Sequence, residues 1–135
     1  LVTPVAVLFH AEEVHVPPAD DDDEIYVVAF GVSPQTAPPE GLCLQIQRDE
    51  DEEVRDGPQT LTGPCLVLDP GQRCHYQGVT DVRVGPGSVL IGLTAEAART
   101  LEVPDDFAIT YDPRTVDEET LRAGLARALA PLPIG

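Results

Sequence analysis

The sequence contains no lysine, asparagine, methionine or tryptophan, and its eight cations are all arginine. That bias reads as high-GC codon usage and hence as a bacterial gene, and the missing initiator methionine reads as a trimmed chain. Against the eight arginines stand 24 acidic residues, a formal charge of -16. Such a shortage of cations argues against nucleic acid and anionic membrane as partners, because both are held by clustered Lys and Arg. No apolar run reaches the roughly 18 residues that a membrane-spanning helix needs. The apolar start, residues 1–9, lacks a basic leader and reads as a first strand rather than a signal peptide. Cys43, Cys65 and Cys74 are the only cysteines; three is too few and too odd a number for a secreted disulfide framework, which favours a reducing cytoplasm.

What is present is enough to fold. At 135 residues and 42% apolar, the expectation is one α+β domain over residues 1–135 with a single core. Residues 5–16 are Val-rich, and their Val14-His15-Val16 alternation suits a short strand before Pro17 and Pro18. Asp20, Asp21, Asp22, Asp23 and Glu24 form an acidic run whose self-repulsion favours a solvated loop. Residues 25–31 (IYVVAFG) predict a strand buried on both faces. Leu42, Leu44 and Ile46 alternate with Cys43, Gln45 and Gln47, the pattern of a half-buried antiparallel strand ending at Arg48. A second acidic run, Asp49, Glu50, Asp51, Glu52 and Glu53, opens an irregular segment reaching Pro64.

From Cys65 the pattern is a meander of hairpins. Asp69-Pro70-Gly71-Gln72 and Gly85-Pro86-Gly87-Ser88 are both Pro-Gly turns, and residues 73–84 between them read as one strand. Within it Gly78 marks a bulge or a close backbone approach. Thr94 caps a short helix over residues 95–101, and a strand follows at residues 107–111. Asp117 then caps a terminal helix whose apolar stripe is Leu121, Leu125 and Leu129, ended by Pro131. Val116 and Leu121 occupy hydrophobic-staple positions. Strands first and helices late predict α+β: a mostly antiparallel sheet with one or two C-terminal helices packed on one face.

Little in the sequence supports catalysis. The three cysteines with His75 lack the paired spacing of a zinc site, and neither acidic run has the glycine of an EF-hand loop. Ser33 and Ser88, the only serines, lie in no nucleophile motif. Cys74 and His75 are adjacent, but neighbours on a strand point to opposite faces and do not easily share a proton. Carboxylates are plentiful, yet no aromatic platform supports a sugar cleft. Gly85-Pro86-Gly87 is too short for a phosphate loop. The expectation is therefore no enzyme, no cofactor and no metal. The competing readings are a small acidic enzyme or metal-binding protein using Cys74, His75 and carboxylates, and a generic interaction module.

The stretch LCLQIQR (42–48) followed by acids, then RCHYQGV (73–79), VLIGLTAEAARTLEV (89–103), an alternating strand and a terminal DEETLRAGLARAL helix resembles the immunity protein 10 family of bacterial polymorphic toxin systems. The resemblance spans roughly residues 25–130. It implies a small cytoplasmic α+β protein, encoded beside a toxin, that binds and neutralises it.

Charge agrees with that implication in kind. Residues 1–68 carry 14 acids and two arginines, for -12, while residues 69–135 carry ten acids and six arginines, for -4. The two acidic runs hold ten of those acids and are the candidate partner-binding residues. A toxic nuclease must be basic to hold nucleic acid, so an acidic inhibitor suits a basic toxin.

Overall fold

The computed structural model describes residues 6–18, 25–32, 42–49, 64–69, 73–130 and 132–135. Nine strands and two helices are formed by these residues: β1 (Ala6–Ala11), β2 (Glu13–His15), β3 (Ile25–Val32), β4 (Leu42–Asp49), β5 (Cys65–Asp69), β6 (Arg73–Tyr76), β7 (Val79–Gly85), β8 (Ser88–Leu93), α1 (Ala95–Leu101), β9 (Asp106–Tyr111) and α2 (Glu118–Leu129). The class is α+β, as the order of strands and helices predicts.

The strands form a four-stranded sheet, β1-β9-β8-β7, and a five-stranded sheet, β2-β3-β4-β5-β6. All pairings are antiparallel except β1 with β9, which are parallel. Only Glu12 separates β1 from β2, and its N–H donates to Gly31 O at 2.8 Å. The first strand expected in residues 1–9 and the short strand expected around Val14-His15-Val16 are thus β1 and β2, one in each sheet. Gln77 and Gly78 make the second corner: Gln77 adopts a φ of 58°, and the chain leaves β6 in one sheet to become β7 in the other. The meander expected from Cys65 onward therefore crosses between sheets at the glycine that marked a close approach. The approach itself is real, since a Cβ on Gly78 would lie 2.4 Å from Ala97 Cβ.

β3 departs from expectation in burial. Tyr26, Val28, Phe30 and Val32 are buried, whereas Val27, Ala29 and Gly31 are half-buried. Their cross-strand partners explain it, because Val27 faces Gln47 and Ala29 faces Gln45. β4 follows the predicted alternation, with Leu44 and Ile46 inside.

One hydrophobic cluster joins both sheets and both helices. α1 starts at Thr94, whose side chain accepts from Ala97 N, and packs against β6 and β8. α2 starts at Asp117, which accepts from Thr120 N, and packs against β3, β4 and β7. Leu121, Leu125, Ala128 and Leu129 are its buried stripe; each buried leucine contributes about 2 kcal/mol. Arg122 ties the helix to the four-stranded sheet, donating to Val84 O at 3.1 Å. The tail of the chain covers the edge of β7 through Gly135 N to Val82 O and Val84 N to Gly135 O, both 2.9 Å.

The second Pro-Gly turn forms as expected, with Gly85 opposite Ser88 and Gly87 at φ 79°. Tyr111 fastens it to β9 by donating from its hydroxyl to Gly85 O and from its backbone N–H to Gly87 O, both at 2.9 Å. Residues 70–72 of the first turn lie outside the described residues, but the antiparallel pairing that it serves is present, with Leu68 opposite Arg73.

Candidate functional site

Of the ten acids singled out in the sequence, Asp20, Asp21, Asp22, Asp23, Glu24, Glu50, Asp51, Glu52 and Glu53 lie outside the described residues. Asp49 is the last residue of β4. What is described is the backbone from which the two runs spring. In the β3–β4 ladder Ile25 pairs with Asp49. The first run ends one residue before Ile25 and the second begins at Asp49, so both attach to the same end of adjacent strands, about 4.8 Å apart. The sequence places them 25 residues from each other; the register joins their anchors.

Among the described residues, Arg48 and Arg127 lie near this end and are engaged. Arg48, opposite Tyr26, donates to Ala130 O at the C-terminus of α2, where the helix dipole is negative. Arg127 lies over the Tyr26 ring at 4.1 Å, a cation–π contact. The Tyr26 hydroxyl donates to Pro17 O at 3.2 Å, which holds the segment leading toward the first acidic run. Elsewhere Arg73 pairs with Glu102 at 2.9 Å, and Arg114 with Asp112 at 2.8 Å. Hydrogen bonds from Arg114 hold the exposed Asp112 carboxyl at about 2.

The competing chemistry is spatially divided. Strand alternation puts Cys43, Cys65 and Cys74 on the outer face of the five-stranded sheet, opposite the buried Leu44, Ile46, Leu66 and Leu68. His75 pairs with Leu66 on the inner face and lies under α1, its Nε2 3.9 Å from Glu96 Oε1. Cys74 and His75 thus point to opposite faces, as alternation requires, and do not form a dyad. Among the described residues no group of three or more His, Cys, Asp or Glu is arranged to hold a metal ion.

The thiols differ sharply in environment. Cys74 is exposed and Cys65 is buried; burial, seconded by the neighbouring Cys74, pushes the Cys65 thiol up to about 11. Because the thiolate is the nucleophile, iodoacetamide at pH 8 is expected to label Cys74 first and Cys65 only after unfolding. Peptide mass spectrometry of native and denatured samples checks this. Equal labelling of Cys65 and Cys74 in the native protein would contradict the assigned environments.

A family model described as Immunity protein 10 matches residues 10–124. The chain belongs to the immunity protein 10 family. The family match begins earlier than the resemblance visible in the sequence, within β1, and ends inside α2, so it takes in both sheet corners and both strands that anchor the acidic runs. No curated protein and no solved structure matches the chain. No helix of this immunity protein, among the described residues, is long and apolar enough to cross a membrane. The signal that sequence reasoning missed in the immunity protein is the outer face of the four-stranded sheet, where Val7 and Leu90 are the exposed large hydrophobics among the described residues. Each stands in an alternating strand, and only the pairing reveals that they share a row.

Proposed function

We propose that this protein is a non-enzymatic immunity protein that binds a cognate bacterial toxin domain and neutralises it by occluding it with an acidic surface. The toxin is basic, the complex forms in the cytoplasm, and neither nucleic acid nor membrane is a partner. The protein acts as a single α+β domain over residues 1–135.

Family membership supports the immunity role. The observation that supports the occlusion mechanism is the Ile25–Asp49 pairing, because the sequence runs from these two paired backbone positions into the two acidic stretches. Like-charged groups gathered in one place focus a negative potential, which accelerates encounter with a basic partner and fixes its orientation. A toxin that must hold a polyanion or an anionic substrate presents the complementary charge at its own active site, so the same attraction that steers it also blocks it. No chemical step is needed: inhibition follows from the exclusion of substrate.

The test mixes the purified protein with the toxin domain encoded beside it. A stable complex and loss of toxic activity are expected, with affinity falling as salt rises, because surface charges act over a Debye length of only about 8 Å at physiological ionic strength. Absence of a complex at low salt overturns the proposal.

A further inference from the structure

We propose that the outer face of the four-stranded sheet is a second contact surface for the toxin, taking a protruding arginine or lysine over Gly92 beside an apolar row. The inference rests on the immunity reading above, but on residues wholly separate from the acidic runs.

Strand pairing arranges this face as a grid. One row is Asp81, Gly92 and Asp106; the next is Arg83, Leu90, Ala108 and Val7; the third is Gly85, Ser88, Thr110 and His10. Val7 is 57% exposed and Leu90 37%, and both sit in the middle row with the small Ala108 between them. Ala108 itself is only 6% exposed, so the row offers two apolar side chains, Val7 and Leu90, two strands apart on one face.

Beside the row lies a groove of about 200 Å³ bordered by Asp81, Arg83, Leu90 and Asp106. Gly92 forms its buried floor, and a Cβ there would stand 3.2 Å from both the Asp106 carboxylate Oδ1 and the Thr80 Oγ1, so these two polar groups border the space above it. Asp81 is paired with Arg83 at 3.3 Å. Asp106 has no ion-pair partner among the described residues. The groove therefore ends in an unneutralised carboxylate next to apolar surface. A long basic side chain fits both features at once: its methylene stem lies along Leu90 and its charged head reaches Asp106.

Size and charge separate this occupant from a second copy of the chain. Four strands and three rows span about 14 by 14 Å, or roughly 200 Å², well below the roughly 800 Å² per partner of a stable interface. The face is thus one part of a larger contact, and a second copy would bring another -16 against it.

The experiment measures toxin binding by the unaltered protein, by Leu90→Glu and by Asp106→Asn, with circular dichroism confirming that each variant folds. Dissociation constants are expected to rise about tenfold for Leu90→Glu and about fivefold for Asp106→Asn, as for residues central to an interface. The Asp106→Asn effect should shrink at high salt while the Leu90→Glu effect persists. If the unaltered protein binds and both variants bind within twofold of it, this inference fails and the immunity reading stands. If the unaltered protein does not bind, both fail. Dimers of the protein that Leu90→Glu dissociates would assign the face to a second copy and overturn the proposal.

Discussion

Gly78→Ala is expected to destabilise the protein by about 3 kcal/mol, at the upper end of the usual cost of forcing extra volume into a packed site. The added Cβ would stand 2.4 Å from Ala97 Cβ and 2.8 Å from His75 Nδ1, whereas carbon atoms settle at 3.5–4.0 Å. Relief requires α1 to move more than 1 Å away from β6. That motion is opposed by the hydrogen bond from Thr94 N to Gly78 O at 2.9 Å, which holds the start of the helix to the corner. It is opposed equally by the burial of Ala97, Ala98 and Leu101 beneath the helix.

Equilibrium denaturation in urea measures the loss, and a change below about 0.5 kcal/mol, the range of ordinary surface substitutions, would contradict the corner geometry. Adding Ala97→Gly restores part of the stability, since it removes the atom that is struck, at a helix-propensity cost of about 1 kcal/mol. Gly124→Ala provides a contrast. Its Cβ would meet Val16 Cγ1 at the same 2.4 Å, but a valine methyl on a connecting segment yields more easily than a helix held at its cap, and alanine favours α2 by about 1 kcal/mol. A smaller loss follows.

Converting all ten acids of residues 20–24 and 49–53 to their amides is expected to slow association with the toxin by about 10–100-fold at low salt, leaving dissociation less affected. The expected effect is electrostatic: ten like charges attract a basic partner at long range, and among the described residues Arg48 and Arg127 are turned to Ala130 and Tyr26. Stopped-flow association at two ionic strengths checks the sign. The two proteins should converge near 1 M salt, where the Debye length is about 3 Å. Removing like charges does not weaken the fold, so an unchanged or raised Tm accompanies the slower association and separates it from unfolding. Equal association rates at low salt would remove the acidic runs from the encounter.

Much of the local structure is legible in the sequence. Thr94 and Asp117 cap their helices as their side chains predict, because an N-cap needs only an oxygen placed within a few residues of the first free N–H groups. The alternation from Leu42 to Gln47 and the Pro-Gly turn at residues 85–88 are equally local. The parallel pairing of β1 with β9 is not legible, because alternation tells which face a side chain takes and nothing about which strand lies alongside. Nor are the corners: Gly78 announces a close contact without saying that the chain changes sheets there. The apolar Val27 and Ala29 suggested a second buried face, but Gln45 and Gln47 beside them leave it half-buried. For the site, charge identified the acidic runs, whereas their common origin required the Ile25–Asp49 register. The row of Val7, Ala108 and Leu90 joins strands more than 80 residues apart, and no window on the sequence contains it.

The parallel β1–β9 ladder sets a condition on synthesis. Ala6 pairs with Phe107 and Ala11 with Tyr111, so the four-stranded sheet stays incomplete until β9 has left the ribosome. At about 5–20 residues per second, the hundred residues between them take roughly 5–20 s to make. The five-stranded sheet has its last strand, β6, complete at Tyr76, before β9 begins at Asp106, so all of its strands are made while the four-stranded sheet still lacks one of its two middle strands.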